Sequence, residues 1–150
     1  MHKFAYRILT AGIALLIGTA DGHAASVHDA LTNFGIIGKW AMDCSAPASE
    51  KNYIGVFSAS GSGDGKLQYD YGPQYEPRTY IIHSAAIKDD QIMFLTTDSS
   101  DHTNDTMVMH KSGNRIQTLS NIQSDNGQAI VKNGIKVMNG EPADWLTYCK

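Results

Sequence analysis

The sequence has few cysteines and little net charge. The first feature argues against thiol-exchange enzymes, and the second argues against proteins that bind nucleic acid or anionic membranes. Its 150 residues include two cysteines, which are far apart and form no Cys-x-x-C motif, so thiol-exchange chemistry is not expected. The formal net charge of −3 disfavours nucleic acid or an anionic membrane surface as a partner. No Gly-x-Ser-x-Gly elbow or other nucleophile motif is present, so we predict that the protein is not an enzyme.

Long apolar runs are missing beyond the first 24 residues. Residues 8–17 are mainly apolar and follow Lys3 and Arg7, an arrangement typical of a secretory signal peptide. This run is too short to span a bilayer. We therefore predict a signal peptide at residues 1–24, cleaved after Ala24 or Ala25, and no membrane span in the mature protein. Residues 25–150 then form a single periplasmic or secreted domain.

Cys44 and Cys149 are the two cysteines that remain after cleavage. An exported chain meets an oxidising compartment, so a disulfide between them is expected. Such a bond would join the beginning of the domain to its last residues. Free thiols or an intermolecular bridge are the alternatives.

Short strand-like runs separated by turn residues follow a short helical lead-in at residues 26–33. The dipeptides Asn126-Gly127 and Asn133-Gly134 are strong hairpin signals. In residues 38–44, alternation predicts a half-buried strand with Trp40, Met42 and Cys44 on its inner face. We predict an all-β antiparallel meander of about eight or nine strands that closes into a small barrel, with a β-sandwich as the alternative. The other predicted strands include residues 53–60, 67–71, 79–88, 91–98, 106–111, 115–122 and 145–149.

A glycine and a tryptophan separated by one residue, Gly38-Lys39-Trp40, lie on the first predicted strand. This start of a small exported barrel resembles the lipocalins and the wider calycin group, and is similar to the small periplasmic barrels that inhibit metalloproteases. The resemblance implies that Trp40 plugs one end of the barrel. It also implies either ligand binding or protease inhibition as the activity.

Four tyrosines, two prolines and an arginine are concentrated in residues 67–80. Tyrosine has an apolar ring and a polar tip, which suits recognition, and proline lowers the entropy lost on binding. We predict a ligand-binding lip at the barrel mouth formed by Tyr69, Tyr71, Tyr75 and Arg78, with Arg78 available to an anionic group. The alternative is that Tyr69 and Tyr71 face the core.

The histidines, methionines and acidic residues give little support for a metal site. The histidines after residue 24 lack ligand spacing, and Met107 and Met109 alternate as core residues of a strand do. Asp98, Asp101 and Asp105 do not have the spacing of an EF-hand loop. We predict no metal and no cofactor.

A small exported domain of this kind is expected to bind a small or apolar ligand without catalysing a reaction. A protein-binding module, such as a periplasmic protease inhibitor, is the first alternative, and an envelope structural or stress protein without a ligand is the second. An apolar interior cavity would favour the ligand-binding hypothesis, and a solid core would favour the protein-binding one.

Overall fold

A computed structural model describes residues 26–61 and 63–150, so the predicted signal peptide lies outside the described part. The described residues form one short helix and ten strands, and no helix among them is long and apolar enough to cross a bilayer. The elements are α1 (Val27–Phe34), β1 (Gly38–Ala41), β2 (Ile54–Ala59), β3 (Gly65–Asp70), β4 (Arg78–Lys88), β5 (Gln91–Asp98), β6 (Asn104–Ser112), β7 (Arg115–Gln123), β8 (Ala129–Lys132), β9 (Ile135–Lys136) and β10 (Trp145–Cys149).

Eight of these strands form a closed antiparallel barrel, which confirms the predicted fold class and excludes the sandwich. From β1 to β7, each strand pairs with the next one along the chain. β10 closes the barrel because it pairs with β1, where Tyr148 lies opposite Trp40, and with β7, where Leu146 lies opposite Ile116. β8 and β9 form an additional hairpin, in which β8 pairs with the C-terminal half of β7.

The two ends of the barrel differ, and we call them the helix end and the loop end. At the helix end, α1 packs across β4 and β2. It begins at Ser26, whose hydroxyl accepts from the Asp29 amide, and it ends at Gly35 in the left-handed conformation with φ of 66°. At the opposite, loop end, residues 42–53, 71–77 and 99–103 connect the strands.

Large side chains fill the half of the barrel interior next to the helix end. They come from alternate positions of the strands, which point to the same side of the sheet. All are at most 2% exposed: Trp40, Phe57, Leu67, Ile82, Ile92, Phe94, Met107, Met109 and Ile116. This part of the barrel is therefore a packed core, and Met107 and Met109 belong to it.

The Gly-x-Trp motif has a local physical reason. Gly38 has a φ of 128°, and a Cβ at this position would lie 2.6 Å from the Tyr148 ring. The missing side chain lets that ring meet Trp40 edge-on, with their centroids 5.1 Å apart. The Trp40 indole N–H donates to the Ile36 carbonyl at 2.7 Å. These contacts hold Trp40 in the core at the helix end. Its role as a plug stays a prediction.

The predicted disulfide joins Cys44 to Cys149, and their Cα atoms are 5.4 Å apart. A cross-link that closes a loop of about 100 residues removes roughly 4–5 kcal/mol of denatured-state entropy in the chain-entropy model. Side chains alternate between the two faces of a strand, and Leu146 points into the barrel. Cys149, three positions later, therefore points to the outer side of β10. The disulfide consequently fastens the closing strand from outside the barrel.

The predicted first strand was wrong at its end. β1 ends at Ala41. Met42 is half-buried and packs against the core, as predicted for the inner face, whereas Cys44 is exposed. The chain turns because the Asp43 amide donates to the Asn52 side chain at 2.8 Å, while the Asp43 carboxylate accepts from the Ser45 amide at 2.9 Å. Local side-chain bonds of this kind compete with the strand ladder.

Candidate functional site

An open cleft of about 310 Å³ lies at the loop end, between residues 48–51 and residues 71–75. We call it the mouth cleft. Tyr71, Pro73 and Tyr75 supply its apolar surface, and Glu50 and Lys51 supply its charges. Its size is within the range of small-molecule sites.

One buried asparagine organises the first wall of the mouth cleft. Asn52 is 7% exposed, and its side-chain N–H groups lie within hydrogen-bond distance of three carbonyl oxygens, those of Asp43, Ala46 and Pro47. Its backbone also exchanges two hydrogen bonds with Ser49. The loop is therefore held in shape without regular secondary structure.

A glycine allows the second wall to approach the first. Gly72 has a φ of 99°, and a Cβ there would lie 2.7 Å from the Ala48 carbonyl oxygen. Its amide donates to the Asp70 carboxylate at 2.8 Å, and its carbonyl accepts from the Tyr75 amide at 3.1 Å. The turn that presents Tyr75 is thus fixed at both ends.

The four residues predicted to form the lip are divided by the structure. Tyr71 and Tyr75 both line the mouth cleft, and Tyr75 is 45% exposed while its hydroxyl donates to Glu50. Tyr69 is only 8% exposed and faces the barrel interior, which is the alternative that the strand pattern left open. The binding role of Tyr71 and Tyr75 stays a prediction.

Arg78 is engaged in an ion pair, although its side chain stays partly exposed. Its guanidinium Nε donates to Asp98, whose side chain is fully buried, and a second guanidinium nitrogen lies 3.6 Å from Asp101. Burial favours the neutral form of Asp98, but hydrogen bonds from Ser100 and Arg78 outweigh it and lower the pKa of this carboxyl. The charge of Arg78 is therefore largely committed within the protein.

A cluster of tyrosine rings connects the mouth cleft with the interior. Tyr53 lies edge-on to Tyr69 with centroids 5.5 Å apart, and it packs against Tyr71 at 5.6 Å. Tyr80 completes the cluster beside Tyr69 at 6.1 Å. Burial raises the pKa of Tyr53, Tyr69 and Tyr80, so their hydroxyls stay neutral.

Asp105 is a buried acid that finds no hydrogen-bond partner in the described part of the chain. It is 1% exposed, and neither carboxyl oxygen has a partner; the side-chain oxygen of Asn121 on the adjacent strand lacks one as well. Burial raises the pKa of Asp105, Arg78 opposes this rise, and nearby carboxylates led by Asp98 reinforce it. The loop-end half of the interior is thus polar, unlike the helix-end half.

Sequence reasoning missed this polar interior although a signal was present. On β5, the alternation Ile92, Phe94, Thr96, Asp98 continues the inward face from apolar to polar residues. On β6, Asp105 alternates with Met107 and Met109 in the same way. Asp105 lay outside the predicted strands because the predicted start of its strand, residue 106, comes after the observed start at Asn104.

The described residues contain no group of three or more histidine, cysteine, aspartate or glutamate side chains arranged to hold a metal ion. The arrangement at the loop end can instead bind through aromatic surface, one exposed carboxylate and one lysine. These are groups for recognition of a ligand.

Replacing the buried acid tests the electrostatic account of the interior. A raised folded-state pKa means that the folded protein loses stability as pH rises from about 3.8 toward that pKa. We expect Asp105→Asn to remove this loss and to raise the free energy of unfolding at pH 7 by about 1 kcal/mol, because the neutral amide replaces a buried carboxyl group that has no hydrogen-bond partner. Urea unfolding from pH 4 to pH 7 measures the effect.

Asp89→Asn is the matched control, since Asp89 is exposed and its φ of 55° suits asparagine. We expect this change to leave the pH profile unaltered. A lower stability of Asp105→Asn than of the wild type at pH 7 would contradict the account.

No protein-family model, curated protein or solved structure matches the chain. The function must therefore be argued from the geometry of the molecule itself.

Proposed function

We propose that the protein is an exported, non-catalytic binding protein that takes a small ligand in the mouth cleft. The observation that carries this proposal is the pairing of Tyr71 and Tyr75 on one open cleft of about 310 Å³. The packed helix-end interior, where the large residues are almost fully buried, supports binding at the mouth over binding deep in the barrel.

The disulfide and the predicted signal peptide support export. Disulfides form and persist in oxidising compartments, and the chain begins with a basic segment followed by an apolar run. Both features together support a periplasmic or secreted location.

Charged side chains near the cleft are already hydrogen-bonded or ion-paired within the protein, which supports a binding role without catalysis. Glu50 accepts from Tyr75, and Arg78 is paired with Asp98. The buried tyrosines keep neutral hydroxyls and so are poor proton acceptors.

The chemistry of the walls indicates the ligand class. Tyr71, Pro73 and Tyr75 favour a ligand with a flat or aliphatic apolar surface. Glu50 and Lys51 at the rim can orient polar groups on the same molecule. A small, partly apolar metabolite fits this description better than a long lipid chain, since the cleft is short and open.

Tyr75 offers the sharpest test of this proposal. Native mass spectrometry of the protein purified from the compartment to which it is exported should reveal a retained small molecule. Tyr75→Ala should weaken binding of that molecule at least tenfold, about the effect of removing an aromatic contact residue, whereas Tyr75→Phe keeps the ring and should retain most of the affinity. Glu76→Ala, an exposed change in the same loop, is the control.

An unliganded mass, together with no thermal shift across a broad metabolite and lipid panel, would overturn the ligand-binding proposal. Equal affinity of the Tyr75→Ala and wild-type proteins would place the ligand elsewhere.

The β8–β9 hairpin favours a second candidate function, recognition of another protein. The hairpin lies outside the closed barrel, and the turn after it exposes Val137 by 56% and Met138 by 92%. Ile130 and Ile135 on the hairpin are also more than a third exposed. Adjacent exposed apolar side chains are a common feature of protein contacts, and an exported protease is the partner class suggested by the barrel resemblance.

A double change, Val137→Ser with Met138→Ser, tests this second candidate. If the protein inhibits secreted proteases, the change should weaken inhibition at least tenfold, because interface energy concentrates in a few apolar residues. Lys132→Ser, on the same hairpin, should have little effect. Unaltered inhibition in the double variant, or no inhibition by the oxidised wild-type protein, would contradict the candidate.

A further inference from the structure

A second, larger cleft of about 450 Å³ lies at the helix end, opposite the mouth cleft. We call it the helix-end cleft. Its walls come from α1, the segment that joins α1 to β1, β1, the end of β6, the β6–β7 turn and β10. They include Thr32, Ile37, Trp40, Lys111, Asn114 and Tyr148. These segments converge on a site that the mouth-cleft proposal does not use.

The walls of this cleft are predominantly apolar. Trp40 is 1% exposed and lies at the floor of the cleft, where its indole N–H is already bonded to the Ile36 carbonyl. Tyr148 is 40% exposed and extends the aromatic wall from Trp40 outward. Such a surface favours the apolar body of a ligand.

Lys111 places a positive charge on the cleft without a neutralising carboxylate. Its ammonium donates to the carbonyls of Phe34 at 2.7 Å and Gly35 at 3.0 Å, and it lies 5.6 Å from the Phe34 ring centroid. Within the described residues, it forms no ion pair with an acidic group. An ammonium has three donors, so one remains for an additional acceptor.

The residues that line this cleft include no acidic side chain. Strand register places Lys39 and Arg115 at the helix end together with Lys111. Residues 35–39, 111–116 and 147–150 contain no aspartate or glutamate. Aspartates do occur at this end, but outside these segments: Asp89 and Asp90 form the β4–β5 turn, where the Asp90 carboxylate is hydrogen-bonded to His110. An anion in the cleft itself therefore meets cationic side chains first.

From this combination we propose that the helix-end cleft binds an amphipathic monocarboxylate. The apolar body lies against Trp40, Ile37 and Tyr148, and the carboxylate accepts from the Lys111 ammonium. Hydrogen bonds between charged partners are stronger than neutral ones, and the ring surface nearby limits solvent competition. The site is independent of the mouth cleft.

Three ten-carbon probes isolate the role of the charge: decanoate, decanol and decylammonium. The indole N–H signal of Trp40 in two-dimensional NMR of the oxidised protein reports binding. We expect saturable binding of decanoate, on the order of tenfold weaker binding of decanol because the charged hydrogen bond is lost, and no saturable binding of decylammonium. Equal responses to decanoate and decylammonium, or no saturable shift with decanoate, would overturn the proposal.

Two variants locate the site. Thr32 is exposed on α1 and lines the cleft, so Thr32→Phe should fill it and abolish decanoate binding. Asn33→Phe adds the same ring at the neighbouring exposed position outside the cleft and should leave binding unaltered. Unaltered binding in Thr32→Phe would refute the assignment.

The lysine is tested by Lys111→Arg and Lys111→Gln. The first keeps the charge and should retain binding, whereas the second should weaken it about tenfold. Because Lys111 also satisfies carbonyls at the end of α1, the NMR spectrum of each unliganded variant must first show the folded barrel. If Lys111→Gln does not fold, the comparison of the three probes and Thr32→Phe still decides the proposal.

Discussion

Closure of the barrel by β10 is the constraint on which the rest of the structure depends. This five-residue strand pairs with β1 on one side and β7 on the other. Without it, both neighbours would present unpaired edges, and Leu146 would no longer cover the core. The Cys44–Cys149 disulfide fastens this short strand from the outside, near the end of the chain.

Closure also separates two chemically different ends. The interior at the helix end is apolar, whereas the interior at the loop end contains Asp98, Asp105 and Asn121. On the outer surface of the helix end lie Lys39, Lys111 and Arg115. Each end has an open cleft with its own residues. A single small domain thereby offers two clefts whose surroundings differ chemically.

Much of the fold could be predicted from the sequence because turn residues and strand alternation are local signals. The bounds of β5 and β10 agree with the predicted residues 91–98 and 145–149. The end of β1 could not be predicted, because it depends on the distant Asn52 side chain. The Cys44–Cys149 disulfide could be predicted because an exported chain with only two cysteines has one intramolecular pairing available, and the geometry confirms this bond.

The candidate site was less predictable because alternation does not reveal which face is inside or which loops meet. Tyr69 and Tyr75 have the same chemistry in the sequence, yet one is buried and the other exposed. The close approach of Gly72 to Ala48, which shapes the mouth cleft, joins loops that lie far apart in the chain. The helix-end cleft likewise joins α1, β1, β10 and the β6–β7 turn, which no short motif connects.

Native-state hydrogen exchange of the oxidised protein tests the central role of the closing strand most directly. The account predicts that the hydrogen-bonded amides of β10 exchange only through global unfolding, with the same free energy as those of β1 and β7, and that the Cys44→Ser/Cys149→Ser variant opens β10 at a lower free energy. Exchange of β10 amides through a low-energy local opening in the oxidised protein, with β1 and β7 still protected, would contradict it.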